Sequence, residues 1–175
     1  MAEEKKEKWI TYLSFTTVIF AVCATLSTFK GGGYSTKALL SQSKASDQWA
    51  FYQSKSIKSY LYDMQKENLE LQMGNTALNV SKEDLQKRIS VYEEKIKKYN
   101  DEKEKIKKDA EEIEKVRDDC KGHSERFGLA VIFLQVSILL SSISALTKKK
   151  MLWGLSVAVG IVGIVYFANG FMVFF

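Results

Sequence analysis

The sequence contains no proline. Nothing in it removes a backbone donor or clashes with the turn before it, so long uninterrupted helices are permitted along the whole chain. It holds one histidine, His123, and two cysteines, Cys23 and Cys120, with no C-x-x-C spacing. That is too few ligands for a structural zinc site, and neither a metal nor a cofactor is expected. The run Gly31-Gly32-Gly33 is not followed by Gly-Lys-Ser/Thr, and no strand pattern precedes it. A phosphate loop is therefore excluded, and the run reads as a hinge. Three stretches, 9–29, 127–146 and 151–175, lack Asp, Glu, Lys, Arg and His altogether. Each is long enough to cross a hydrocarbon core of ~30 Å at ~1.5 Å per residue. They lack the ionisable groups that mark proton relays and ion pathways.

What is present is sharply divided. The mean hydropathy of -0.17 averages the three apolar stretches with a highly charged middle. Residues 30–126 hold 20 of the 26 Lys+Arg and 18 of the 21 Asp+Glu, a net of only +2. Acids and bases alternate there as on a solvated helix face, without the basic stripe that a phosphate backbone needs. Nucleic acid is not expected as a partner. The first stretch, Trp9 to Phe29, is longer than the apolar region of a cleaved leader and ends in Ser27-Thr28-Phe29-Lys30, without a small-x-small site. It reads as a retained span.

The middle has its own periodicity. Leu85, Ile89, Tyr92, Ile96, Tyr99, Lys103, Ile106, Ala110, Ile113, Arg117 and Cys120 step by four and three without a slip. That is a heptad seam interrupted by Lys103 and Arg117. Ser81 is a suitable N-cap, Asp84 stands at the third helical position, and Val80 is placed to staple onto Leu85. The preceding arm, from about Ser35 to Met73, is apolar at Leu39, Ala50, Ile57, Leu61, Met64 and Leu71. Two arms of ~40 residues joined through Gly74-Asn75 and Asn79-Val80-Ser81 describe an antiparallel hairpin. The expected fold is an all-α membrane protein, with three transmembrane helices and a long antiparallel coiled-coil hairpin between the first and second.

The segments ALLSQSKASDQWAFYQSKSIK, residues 38–58, and VIFLQVSILLSSISALTKKKMLWGLS, residues 131–156, resemble a bacterial family of unknown function, DUF4337. The core S-D-Q-W-x-x-Y-Q-x-K-S-I-K, Ser46 to Lys58, carries most of the likeness. The resemblance implies a small bacterial membrane protein with three spans, and it implies no activity.

Lysines orient the chain. Lys5, Lys6 and Lys8 precede the first span, and Lys148, Lys149 and Lys150 lie between the second and third. Excess Lys/Arg in short flanks marks the cytoplasmic side. The expected segments are a cytoplasmic N-terminus at 1–8, spans at 9–29, 127–146 and 151–175, a periplasmic hairpin at 30–126 and a cytoplasmic turn at 147–150. The location is then the bacterial inner membrane, with membrane lipid as first partner.

The expected function is a homo-oligomeric scaffold or interaction protein, with an envelope protein as a further candidate partner. Trp49, Phe51, Tyr52 and Tyr62 are the candidate contact residues. On a straight helix Ala45, Trp49 and Tyr52 share a face, while Phe51 and Tyr62 fall on the far side. The alternative is a channel or transport component. Gln135, Ser137, Ser141, Gly154, Ala158, Gly160 and Asn169 are the candidates for helix packing or a polar path. An enzyme is not expected. Cys120 and His123, three apart, permit thiol activation in principle, but an exposed coil offers no dry pocket. Cys120 is also the expected site of oxidative crosslinking between subunits.

Overall fold

With no proline to interrupt them, three helices account for nearly all of the backbone: α1 Ala2–Gly74, α2 Lys82–Thr147 and α3 Lys150–Met172. The structure is a computed structural model, and it describes residues 2–74 and 81–172, with side chains from residue 8 onward. Asn75, Asn79, Val80 and Phe175 lie outside the described residues. Each helix carries a stretch long and apolar enough to cross a membrane.

The chain divides into two units, Met1–Leu39 with Val116–Phe175, and Leu40–Lys115. In the first, α1, α2 and α3 pack around Phe20, Ala24, Ala130 and Leu134. Close approach depends on glycine. A Cβ at Gly163 would stand 2.8 Å from Leu134 Cγ, and one at Gly170 would stand 2.8 Å from Phe127 Cδ1. Small residues let helix backbones approach closely. The hydroxyls of Thr16, Thr17, Thr25 and Thr28 each bond a carbonyl three or four residues back on α1. They can therefore sit in an apolar stretch without unmet polarity.

The Gly31-Gly32-Gly33 run does not break the chain, contrary to the hinge expected there: α1 is helical straight through it. A helical glycine costs about 0.5–1 kcal/mol relative to alanine, a sum that tertiary contact can offset. A Cβ at Gly31 would lie 3.0 Å from Phe127 Cβ, and Ser124 Oγ donates to the Gly31 carbonyl at 3.1 Å. Between α2 and α3, Lys148 adopts a left-handed φ of 54°, and Ser144 Oγ donates to the Lys149 carbonyl at 2.9 Å.

The second unit is an antiparallel pair. Ser81 stands just before α2, and its carbonyl accepts from the amides of Asp84 and Leu85 at 3.1 and 3.2 Å. Contacts descend one arm as they climb the other: Trp49 with Glu114, Lys55 with Glu102, Ser59 with Asn100, Lys66 with Glu93. Every seam position read from the sequence of the return arm, from Leu85 to Ile113, is buried or half-buried.

Candidate functional site

The outgoing arm does not pack by its most apolar row. Ser41, Ala45, Gln48, Tyr52, Lys55, Ser59, Tyr62, Lys66, Leu69 and Met73 are all buried or half-buried. They step by four and three, so they form a seam of small, aromatic and polar residues. Three of its polar members are matched across the hairpin. Lys55 Nζ meets Glu102 at 2.6 Å, Ser59 Oγ donates to Asn100 Oδ1 at 3.2 Å, and Lys66 Nζ meets Glu93 at 2.8 Å. Contact with Lys55 holds the Glu102 carboxyl below its ordinary value, and contact with Glu93 holds the Lys66 ammonium above its own.

Three of the four candidate aromatics belong to this hairpin. Trp49 Nε1 donates to Glu114 at 3.2 Å, and its ring meets Tyr52 edge-on at 5.6 Å. Tyr62 stacks on Tyr99 at 5.8 Å, contacts Tyr92 at 5.6 Å, and receives Lys95 over its ring at 4.7 Å. Its expected place on the far side of Ala45 is corrected. At 3.5 residues per turn, the coiled-coil value, the drift of a straight helix over 17 residues disappears and Tyr62 returns to the seam. Phe51 is exposed, with Lys55 Nζ 5.0 Å from its ring.

The row that the sequence suggested as the packing face points outward instead. Leu39, Ala50, Ile57, Leu61, Met64 and Leu71 are exposed, Ile57 at 59% and Met64 at 60%. From residue 50 onward its spacing is also heptad-like: 50, 57, 61, 64, 71. The second unit therefore carries one seam that is filled and one that is open.

In the first unit, a buried hydroxyl cluster joins α2 to α3. Ser141 Oγ lies 2.6 Å from Ser156 Oγ, Ser156 Oγ donates to the Ser137 carbonyl at 2.9 Å, and Ser137 Oγ donates to the Ser156 carbonyl at 2.6 Å. With Ser141 donating, each of the three hydroxyl protons has its own acceptor. Ser27 Oγ is buried with no hydrogen-bond partner. Gly160 is buried against Phe20, and Asn169 is 1% exposed. Gly154, Ala158 and Gln135 face outward. The candidate span residues thus separate into a packed group and an exposed group.

A family model described as a domain of unknown function, DUF4337, matches residues 9–173. The chain belongs to this family. Comparison with curated proteins and with solved structures finds no match.

The thiol chemistry considered for this DUF4337 chain is not assembled. His123 Nδ1 lies 2.7 Å from the Gly170 carbonyl, which makes it the protonated nitrogen, and the ring stacks on Tyr34 at 4.5 Å. Nε2 faces Asp119 at 3.8 Å. Cys120 is 1% exposed, which counts against the expectation that it bridges subunits. Among the described residues, no three His, Cys, Asp or Glu side chains group to hold a metal ion. The inner seam of this DUF4337 hairpin escaped sequence reading because Ser41, Gln48, Lys55 and Lys66 are not apolar. The one available signal was the partner arm's own unbroken heptad, which demands a complementary row.

Proposed function

We propose that this chain is a homo-oligomeric membrane scaffold of the bacterial inner membrane. In this reading segments 9–29, 127–146 and 151–175 span the bilayer, residues 1–8 and 147–150 are cytoplasmic, and 30–126 is periplasmic. Membrane lipid is its first partner and copies of itself its second. It performs no chemistry of its own. The observation that carries the reading is the open row at Ala50, Ile57, Leu61 and Met64. The return arm already fills the other seam, so this one is free for a partner, and a row of exposed apolar side chains in water marks an interaction surface. Its heptad-like spacing suits another helix of the same kind. A channel has less support, since Ser137, Ser141 and Ser156 bond one another.

The test is Ile57→Asp with Met64→Asp in the full-length protein, reconstituted in lipid nanodiscs and vesicles. Both side chains are exposed, so helicity and melting are expected to persist. The oligomer is expected to dissociate at a concentration at least about tenfold higher than wild type, as for an apolar contact worth ~1.4 kcal/mol or more. Unchanged dissociation with intact helicity would refute the role of this face. A wild-type protein that is monomeric at every lipid ratio would refute the scaffold itself.

A further inference from the structure

Among the described residues, one polar side chain in the charge-free stretch of α2 is left without a partner. Gln135 lies within the charge-free stretch 127–146, and the nearest charged residues on either side, Arg126 and Lys148, are 9 and 13 positions away. At ~1.5 Å per residue both are too distant to bring water to it. Its side chain is exposed on the first unit, and among the described residues nothing hydrogen-bonds its amide. The hydroxyls of α2's apolar stretch, by contrast, are all satisfied: Ser137 and Ser141 by Ser156, Ser142 by the Ile138 carbonyl, Ser144 by the Lys149 carbonyl. Gln135 is the exception, and hydrocarbon offers an amide no hydrogen bond at all.

The surroundings of Gln135 form a row. Gly128, Ile132, Gln135, Leu139, Ser142 and Leu146 step by four and three, and every one is exposed. A Cβ at Gly128 would meet nothing within 4 Å, as is also true of Gly154 on α3. The buried glycines 160, 163 and 170 are each required by a side chain of this chain. Gly128 has no such reason and leaves a notch at one end of the row. The row carries no charge, so it does not suit a partner span selected through an ion pair.

We infer that this face of α2 docks against the same face of a second copy, with the two Gln135 amides hydrogen-bonded to each other across a two-fold axis. The inference rests on the membrane-scaffold reading and adds to it a specific contact. A carboxamide carries both a donor and an acceptor, so two identical amides related by a two-fold axis satisfy one another reciprocally. Ile132 and Leu139, flanking Gln135 on the row, supply the packing. The notch at Gly128 admits the partner backbone.

The experiment uses full-length protein in native membranes, with Cys23 and Cys120 replaced by alanine. Single cysteines are placed at Ile132, Gln135 and Leu139 on the row, and at Ile161 and Val165 on the exposed face of α3. Mild oxidation is expected to give a species of twice the chain mass for the row and not for α3. In vesicles, with dimerisation followed by single-molecule photobleaching, Gln135→Leu is expected to weaken dimerisation about threefold to tenfold, as typical interhelical hydrogen bonds in membranes do. Gln135→Asn, which keeps the amide, is expected to retain most of it. Equal crosslinking of the α3 positions, an adduct of a different mass, or a Gln135→Leu protein that dimerises like wild type would each overturn the inference. If the row does not crosslink while wild type remains oligomeric, the contact is wrong and the scaffold reading survives. If wild type is monomeric in its native lipid, both fall.

Discussion

Gly160 of α3 lies directly against the ring of Phe20 of α1: an added Cβ would meet the Cε1 and Cε2 atoms at 2.6 and 2.7 Å. Phe20 is itself in the core with Ala24, Ala130 and Leu134, so its ring cannot swing aside freely. Gly160→Leu is expected to destabilise the first unit by about 1–3 kcal/mol through overpacking. Adding Phe20→Ala should restore part of that loss. Thermal melting in a mild detergent reads both, and the pair should be clearly non-additive.

Ser156 and Ser27 should respond in opposite directions to the same substitution. Ser156→Ala removes the acceptor for Ser141 and the donor to the Ser137 carbonyl. A loss of about 1–2 kcal/mol is expected, given that a buried polar group stripped of its partner costs about 1–3 kcal/mol. Ser27 Oγ is buried without a partner, so Ser27→Ala should be neutral or stabilising. Parallel melting curves decide the matter.

Trp49 and Phe51 are two residues apart and should differ in kind. Trp49→Ala removes the Glu114 hydrogen bond and the Tyr52 contact. It is expected to lower hairpin stability by about 2–3 kcal/mol. Phe51→Ala acts at an exposed ring, so it should leave melting within ~0.5 kcal/mol and weaken self-association instead. Melting by circular dichroism and oligomer mass by light scattering separate the two.

The hairpin should lose stability in acid through its ion pairs. Lys55 holds the folded pKa of Glu102 below its ordinary 4.5. That stabilisation is present above the unfolded value and disappears as pH falls through the folded one. Arg117 lowers Asp118 in the same sense, from an ordinary 3.8. Lys66, raised above 10.5 chiefly by Glu93, stabilises below that value and loses its contribution as pH rises through the folded one. Stability is therefore expected to be level between about pH 5 and 10 and to fall at both ends. These groups are partly solvated, so the acid limb should be small and shrink in high salt. Lys55→Gln should reduce it further in a melting series against pH.

Topology is checked by labelling. In a background with Cys23 and Cys120 replaced, a cysteine at Glu83, an exposed position of the return arm, should react with an impermeant maleimide on intact cells. A cysteine at Ala2 should react only after lysis. The reverse pattern would invert the orientation read from the lysines. Cys120 itself, in the wild-type chain, should resist labelling until the helices are unfolded.

The three apolar stretches, the helical class and the return-arm seam were legible in the one-dimensional pattern. Charge-free length, missing proline and an unbroken heptad from Leu85 to Cys120 are properties of the chain alone. The outgoing arm was not legible in this way. Its strongest apolar row, Ile57-Leu61-Met64, is exposed, while Ser59 and Lys66 face inward. Polar residues can occupy a seam only when the opposite arm supplies Asn100 and Glu93, and that match depends on register, which exists only once the arms are paired. Likewise nothing in the spacing of Gly31-Gly32-Gly33 distinguished a hinge from a helix. The close approach of Phe127 and the Ser124 hydrogen bond at Gly31 favour the helix, and both come from residues more than ninety positions away. Periodicity records what each helix can bury by itself. Which face it does bury, and which remains open to a partner, is decided by the shape and polarity of the helix that lies against it.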